Sequence, residues 1–451
     1  MARGIGSKPE VSSAAELDLA LERLDEGAPR LAALGAADRA VLLRDLTRRF
    51  HEAAPRMVEL GCTARGVDPR SPRAGELSLD GPAIILKYTF DLANRLAGDL
   101  TVPPGAVRDV GDRTVVDVLP LSAFDRAIFL GYRGEAWLDG VVPPDRVALH
   151  PTALPRHGGE IALVLGAGNV ASIGVLDALE QLFVRGRAVI YKLSPVNDYL
   201  GPLFELVFAP MVARGFIEFA YGGPDIGAFL TAHPAVDAIH ITGSYETHEA
   251  IVWGPDGPER AARKARGEPL SNKPVTSELG NVSPAVIVPG KWTDAEIEHA
   301  ALSIVGSFTF NAGFNCNATK LVVTPRGTRL RERIVERITR ILSDVPARRA
   351  YYPGAREKYA LFTSGGGRVS EFGSGRAHQG AEGESPWAFV TDLESTRRPV
   401  VYEHEPFCGV LSETAVPGAD TLEFLRNVTT FLNERVWGTL NAMLLVPASV
   451  E

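Results

Sequence analysis

Ile161-Ala162-Leu163-Val164-Leu165-Gly166-Ala167-Gly168-Asn169, then a helical period over 173–185, then Ala188-Val189-Ile190-Tyr191-Lys192 is the stretch that decides the fold. Two short apolar runs rich in β-branched residues flank an amphipathic segment, which is the pattern of strand, helix and strand. The alternation continues with a helix expected over 202–213 and strands over 216–221 and 235–242. Repetition of this kind predicts an α/β fold, a Rossmann-type parallel sheet covered by helices on both faces. Ligands of such a sheet bind beyond the carboxyl ends of its strands. That rule singles out 166–169, 192–195, 222–227 and 242–244.

Upstream, Leu42, Leu46 and Phe50 recur at four-residue spacing between Arg44, Asp45, Arg48 and Arg49, so 17–96 reads as amphipathic helix. Short strands are expected over 114–121 and 146–150, forming sheet attached to the same unit. Downstream, the charged segment 259–273 precedes a second set of strands, 284–289 and 320–324, around a helix over 294–308. A Gly- and Ser-rich stretch, 364–385, predicts a mobile loop. We therefore expect two units, 1–275 with N-terminal helices and an α/β unit over 276–451. A chain of 451 residues is too long for one core.

The composition narrows the function. A net charge of -8 without a dense Lys/Arg run leaves little to hold nucleic acid or anionic lipid. The stretch least interrupted by charge, 300–319, carries Ser303, Ser307, Asn311 and Asn315 and is too polar to span a membrane. Residues 1–10 lack a following apolar run, so no secretory signal is expected and a cytoplasmic location is. The three cysteines, Cys62, Cys316 and Cys408, have no zinc-type spacing, so no metal site is expected.

Gly166-Ala167-Gly168-Asn169-Val170-Ala171 formally matches the dinucleotide fingerprint G-x-G-x-x-A. That fingerprint wants an acidic residue about 20 positions on, and the next strand ends at Lys192 instead. The motifs together resemble the aldehyde dehydrogenase superfamily from about Leu17 to Glu451. The resemblance rests on Asn169 and Lys192 ending successive strands, Gly223 and Gly227 flanking a loop, and the strand-turn Ile241-Thr242-Gly243-Ser244. It rests equally on Ser277-Glu278-Leu279-Gly280-Asn281-Val282-Ser283-Pro284, on Asn311-Ala312-Gly313-Phe314-Asn315-Cys316, and on Glu405-Pro406-Phe407. Six motifs stand in the family's order.

The resemblance implies oxidation of an aldehyde with hydride transfer to NAD or NADP through a cysteine thiohemiacetal and thioester, without a metal. Cys316 is then the nucleophile, and its small and polar neighbours Gly313, Asn315 and Asn317 leave a thiol reachable where a core cysteine would stand in an apolar run. Such a thiol needs help to ionise near neutral pH, from backbone amides, a nearby base or the cofactor. Glu278 would deprotonate water, and the Asn169 amide would join the Cys316 N–H in holding an oxyanion. Lys192 would bind the adenosine ribose, Glu405 and Phe407 the nicotinamide ribose side, and Gly223, Gly227, Gly243, Ser244 and Leu279 would line the cofactor path. Each has a plainer reading: a solvated lysine or glutamate, or a turn asparagine bonded to its own backbone. Cys62 and Cys408 read as structural.

Three departures qualify the family pattern. Pro195 stands where many NAD-preferring members carry a glutamate, so NADP is expected within about tenfold of NAD, a difference of about 1.4 kcal/mol. Phe314-Asn315 precedes the cysteine where many members have glutamine and a variable residue, which leaves the aldehyde open. The chain stops at Glu451, short of the family's usual end, so a truncation or shortened product is one expectation and a weakened homodimer another. Coenzyme A as the acyl acceptor and a catalytically silent family member remain as alternatives.

Overall fold

In the computed structural model, residues 8–98, 105–143, 147, 157–373 and 383–450 are described. Helix α1 (Ala14–Ala32) starts with a capping box in which Ser13 accepts from the Glu16 amide and Glu16 reaches back. It buries Leu17, Leu21, Leu24, Ala28 and Leu31 on one face. Helix α2 (Ala36–Arg65) buries Leu43, Leu46, Phe50, Met57 and Leu60, again at three- and four-residue spacing for most of its length. Complete burial of each such side chain is worth about 1.5–3 kcal/mol. Gly66 adopts φ of 65°, the left-handed conformation that ends a helix without a Cβ clash, and so Arg65 is the last helical residue.

These helices cover a five-stranded sheet made of β4 (Ile161–Leu165), β5 (Ala188–Lys192), β6 (Ile217–Ala220), β7 (Ala238–Gly243) and β8 (Val275–Leu279). All are parallel, in the order β6-β5-β4-β7-β8. The chain winds outward from β4 through β5 to β6 and then returns to β7 on the other side of β4. A crevice opens at such a reversal. Register places the functional positions at one edge: Leu165 lies beside Lys192 and Ile241, and Thr242 lies beside Glu278.

An antiparallel meander, β1 (Val107–Val110), β2 (Arg113–Leu119) and β3 (Gly134–Trp137), precedes this sheet in the chain. A six-stranded sheet follows it, ordered β12-β14-β15-β10-β9-β16. It contains β9 (Pro284–Ile287), β10 (Leu321–Pro325), β12 (Arg368–Phe372), β14 (Trp387–Glu394), β15 (Val410–Val416) and β16 (Met443–Leu445), while β11 (Arg348–Arg349) and β13 (Glu384–Ser385) pair separately. Only the β12–β14 contact within the six-stranded sheet is antiparallel. One hydrophobic core draws on residues from Leu17 to Ile239, and two others on residues from Val282 to Phe431.

Two local expectations change. The loop expected over 364–385 contains β12, where Ser370 and Phe372 register with Phe389 and Trp387, and also β13; positions 374–382 lie outside the described residues. Glycine and serine at its ends masked a five-residue strand that pairs with residues 15 to 23 positions further on, from Phe372 with Trp387 to Arg368 with Thr391. The helix expected over 202–213 divides at Phe208 into Gly201–Val207 and Ala209–Val212, as Pro210 in the next turn lacks the N–H that would continue the ladder. The strand expected over 146–150 lies outside the described residues except for Val147, which is in no strand.

Candidate active site

A cleft of about 920 Å³ runs across the carboxyl edge of the five-stranded sheet, and its wall includes all eleven positions expected from the sequence. Asn169, Lys192, Gly223, Gly227, Gly243, Ser244, Glu278, Leu279, Cys316, Glu405 and Phe407 come together from segments spread over more than half of the chain. Two regions of this cleft differ in construction.

Along the first, backbone dominates. Lys192 is buried and its Nζ donates to the Leu193 carbonyl at 3.3 Å. Burial draws its pKa down, while the carboxylates of Asp225 and Asp198 oppose that fall. The sequence pointed to no acidic group here because position 195 is proline, and Asp225 and Asp198 reach the lysine through the fold. The helix Pro224–Ala232 begins at Gly223, and Gly227 packs against the lysine stem, where a Cβ would stand in ordinary contact at 3.9 Å. Ser244 caps the helix Tyr245–Trp253 by accepting from the Thr247 amide at 3.2 Å. The free amides of that first turn favour an anion.

Around Cys316 the construction is dense. The helix Asp294–Thr309 is followed by a tight turn in which Asn311, Ala312 and Gly313 take φ of 50°, 57° and 82° in succession. At Gly313 a Cβ would lie 2.7 Å from the Cys408 carbonyl oxygen, so glycine is required by space as well as by conformation. The Phe314 carbonyl accepts from Asn169 Nδ2 at 3.1 Å and from Asn311 Nδ2 at 2.9 Å. Ser283 Oγ donates to the Cys316 carbonyl at 2.7 Å, and Lys320 Nζ, fully buried, donates to the Gly313 carbonyl.

Cys316 is half-buried, whereas Cys62 and Cys408 are buried. Burial, followed by the Glu278 and Glu405 carboxylates, pushes the Cys316 thiol up to about 11, against the lowering effect of the Cys316 and Asn317 amides. The amides alone do not ionise it. Glu405 is pushed up to about 7 by burial, with Lys320 and Lys358 holding it from rising further. Lys320 is drawn down to about 8, again by burial. Glu405 Oε1 has no hydrogen-bond partner among the described residues. The absence of a side chain at Gly280 matters here, since a Cβ would meet Glu405 Oε2 at 2.1 Å.

Several residues in this arrangement escaped the sequence. Arg65 and Tyr351 bond to the Asn169 and Asn311 region across long separations, and Tyr352 and Lys358 line the cleft. Lys320 had a signal: a lone charge opening the apolar run Leu321-Val322-Val323. Arg65 had none, since a basic residue in a last helical turn is ordinarily explained by the helix dipole.

The fold is that of aldehyde dehydrogenases. Residues 169–356 match the model of the Aldehyde dehydrogenase family. A stretch of 171 residues, 37% of this chain, is 32% identical to N-succinylglutamate 5-semialdehyde dehydrogenase of Sphingopyxis alaskensis and covers 32% of that protein. The protein of the same name from Novosphingobium aromaticivorans is 29% identical over 178 residues, 39% of this chain and 34% of its own length. The matched stretch thus spans about a third of these curated relatives. Among solved structures, a putative aldehyde dehydrogenase from Burkholderia cenocepacia aligns with 98% of this chain and 81% of its own at a TM-score of 0.63 and 15% identity. Lactaldehyde dehydrogenase from Escherichia coli aligns with 97% and 84% at 0.63 and 16% identity. An NAD-dependent benzaldehyde dehydrogenase from Corynebacterium glutamicum aligns with 97% and 83% at 0.64 and 17% identity.

The cleft fits a nicotinamide dinucleotide on its own terms. It has the volume for a large ligand, an amide-rich helix start at Ser244, and a buried carboxylate oxygen of Glu405 still lacking a donor. A ribose hydroxyl is such a donor. Among the described residues, no helix is long and apolar enough to cross a membrane.

Proposed function

We propose that this chain oxidises an aldehyde to a carboxylic acid with NAD or NADP as hydride acceptor. The observation that carries this reading is the meeting of Cys316, Glu278 and Asn169 in one cleft with Lys192 and Glu405. The Cys316 thiol is held protonated by burial and by the Glu278 and Glu405 carboxylates, so its proton must pass to solvent before the sulfur reacts as thiolate. The sulfur then adds to the aldehyde carbonyl. A C–S bond forms, and the carbonyl π pair becomes an oxyanion that the Asn169 side-chain N–H and the Cys316 backbone N–H can hold.

A bound oxidised nicotinamide would supply the hydride acceptor for this adduct. A thioester to Cys316 remains. Glu278 then takes a proton from water, the hydroxide displaces sulfur, and the products are the acid and a free thiolate. Lys192 and Glu405 are suited to hold ribose hydroxyls, Gly223 and Gly227 to line the cofactor path in the same cleft, and Gly243, Ser244 and Leu279 to border the pyrophosphate. Phe407, in the wall of the same cleft, is suited to border the nicotinamide ribose. We read 1–275 as the cofactor unit and the remainder as the catalytic unit, with β8 carrying Glu278 from one to the other.

Aldehydes from short aliphatic to aromatic, assayed with each cofactor and with or without coenzyme A, test the proposal. Reduced nicotinamide with the free acid as product is expected. Formation of acyl-CoA, with turnover requiring coenzyme A, would overturn hydrolysis as the second half-reaction.

A further inference from the structure

We propose that Arg65 is a positioning residue for this chemistry, a bridge that holds Asn169 in register with the loop carrying Cys316. The proposal rests on the functional reading above for the meaning of that register. Its geometry does not.

Helix α2 ends at Arg65, whose side chain is buried. Its Nη1 donates to Asn311 Oδ1 at 2.9 Å and its Nη2 to the Asn169 carbonyl at 2.8 Å. The guanidinium lies 5.1 Å from the centre of the Tyr351 ring. Asn311 Nδ2 donates to the same Asn169 carbonyl at 2.9 Å, and the Tyr351 hydroxyl reaches both acceptors, at 2.9 Å for Asn311 Oδ1 and 3.3 Å for the Asn169 carbonyl. Two N–H donors therefore converge on one carbonyl, with the Tyr351 hydroxyl, whose single proton lies nearer Asn311 Oδ1, beside them, and that carbonyl belongs to the residue assigned as an oxyanion donor.

The other end of the bridge explains why it is needed. Asn311 and Ala312 are non-glycine residues in the left-handed region. Such residues persist where their surroundings over-determine them. A guanidinium gives two donors in a rigid fork, so it fixes the separation of its two acceptors, whereas a lysine ammonium on a flexible stem does not. Burying that charge on neutral acceptors is costly, and no carboxylate lies within 4.0 Å of it among the described residues. The return is a cysteine turn and an oxyanion donor held at one spacing.

Alkylation of Cys316 by iodoacetamide reads the loop without any aldehyde, because Cys62 and Cys408 are buried, and Cys316→Ala supplies the background. In Arg65→Met the alkylation rate constant should rise at least about fivefold as the turn loosens, while single-turnover hydride transfer falls roughly ten- to a hundredfold and cofactor affinity stays put. Tyr351→Phe, which removes one hydroxyl and keeps the ring, should move both rates in the same directions by less. Added guanidinium should restore part of the hydride-transfer rate to Arg65→Ala. A merely structural arginine would lower the fraction of titratable thiol and leave the rate constants of the remainder alone. Alkylation rate constants within about twofold of the parent in both Arg65→Met and Tyr351→Phe would overturn the bridge. If the parent protein oxidises no aldehyde, the functional reading falls and alkylation alone still judges Arg65.

Discussion

The cofactor region and the cysteine region of the cleft reach similar ends by different means. At the carboxyl edge of the five-stranded sheet, position follows from topology: β4, β5 and β7 end side by side, and Lys192 and Ser244 sit where their strands stop. Few side-chain bonds are needed. Around Cys316, a turn of three left-handed residues is held by Arg65, Asn169, Tyr351 and Lys320, which arrive from four separate segments. The first region is built by the sheet and the second by specific bonds. Ligand binding and bond making should therefore respond to different substitutions.

Cys316→Ala gives the largest separation. On the proposed chemistry it abolishes hydride transfer, while calorimetric titration should find cofactor affinity within about threefold of the parent. Cys62→Ala and Cys408→Ala should keep turnover. Loss of binding together with chemistry in Cys316→Ala would mean that the two regions are not independent.

The converse substitution acts on the sheet edge. Lys192→Met removes a charged donor, worth about 1.5–3 kcal/mol, so cofactor affinity should fall roughly ten- to a hundredfold. Alkylation of Cys316 in the absence of cofactor should stay unchanged. A large change in that rate would tie the lysine to the thiol region.

Cofactor choice depends on the same sheet edge. With Pro195 beside the lysine, NADP should bind within about tenfold of NAD. Asp225 is exposed, so its charge is screened, and Asp225→Asn should shift the ratio toward NADP by only a few-fold. An NAD preference above roughly a hundredfold would require another group that excludes the phosphate.

The smallest effect concerns stability near Arg65. Burial pushes Asp80 up to about 6, against the opposing pull of Arg65, and its Oδ2 lacks a hydrogen-bond partner among the described residues. A carboxyl whose folded pKa lies above its unfolded value contributes stability that is present below about pH 4 and is lost as pH rises through about 6. Asp80→Asn should accordingly raise the melting temperature at pH 7 by a few degrees and leave it nearly unchanged at pH 4. An equal gain at both pH values would assign the effect to packing instead of charge.

What could be read from the sequence follows the same division. Strand ends such as Leu165 and Lys192 announce themselves locally, through a run of apolar residues and the turn after it, so the parallel sheet and its cleft were legible. The cysteine turn was legible as a motif but not as a conformation. Nothing near Asn311 reveals that Arg65, 246 positions earlier, accounts for one of its bonds. Strand β12 was missed for a related reason, since its pairing with β14 becomes visible only when Trp387 and Phe389 are placed beside it. The high pKa of Cys316 also needed the fold, which brings Glu278 and Glu405 toward it.

On the proposed chemistry, Cys316 carries the acyl group and Glu278 activates the water that removes it. Glu278→Gln keeps most of the side-chain volume and removes the base, so it separates the two half-reactions. Rapid mixing with saturating aldehyde and cofactor should give a burst of reduced nicotinamide near one equivalent per site. A steady rate lowered about 10²–10⁴-fold should follow, with the added acyl mass found on the peptide containing Cys316. A burst with no acyl mass on that peptide, or a steady rate equal to that of the parent, would contradict the account.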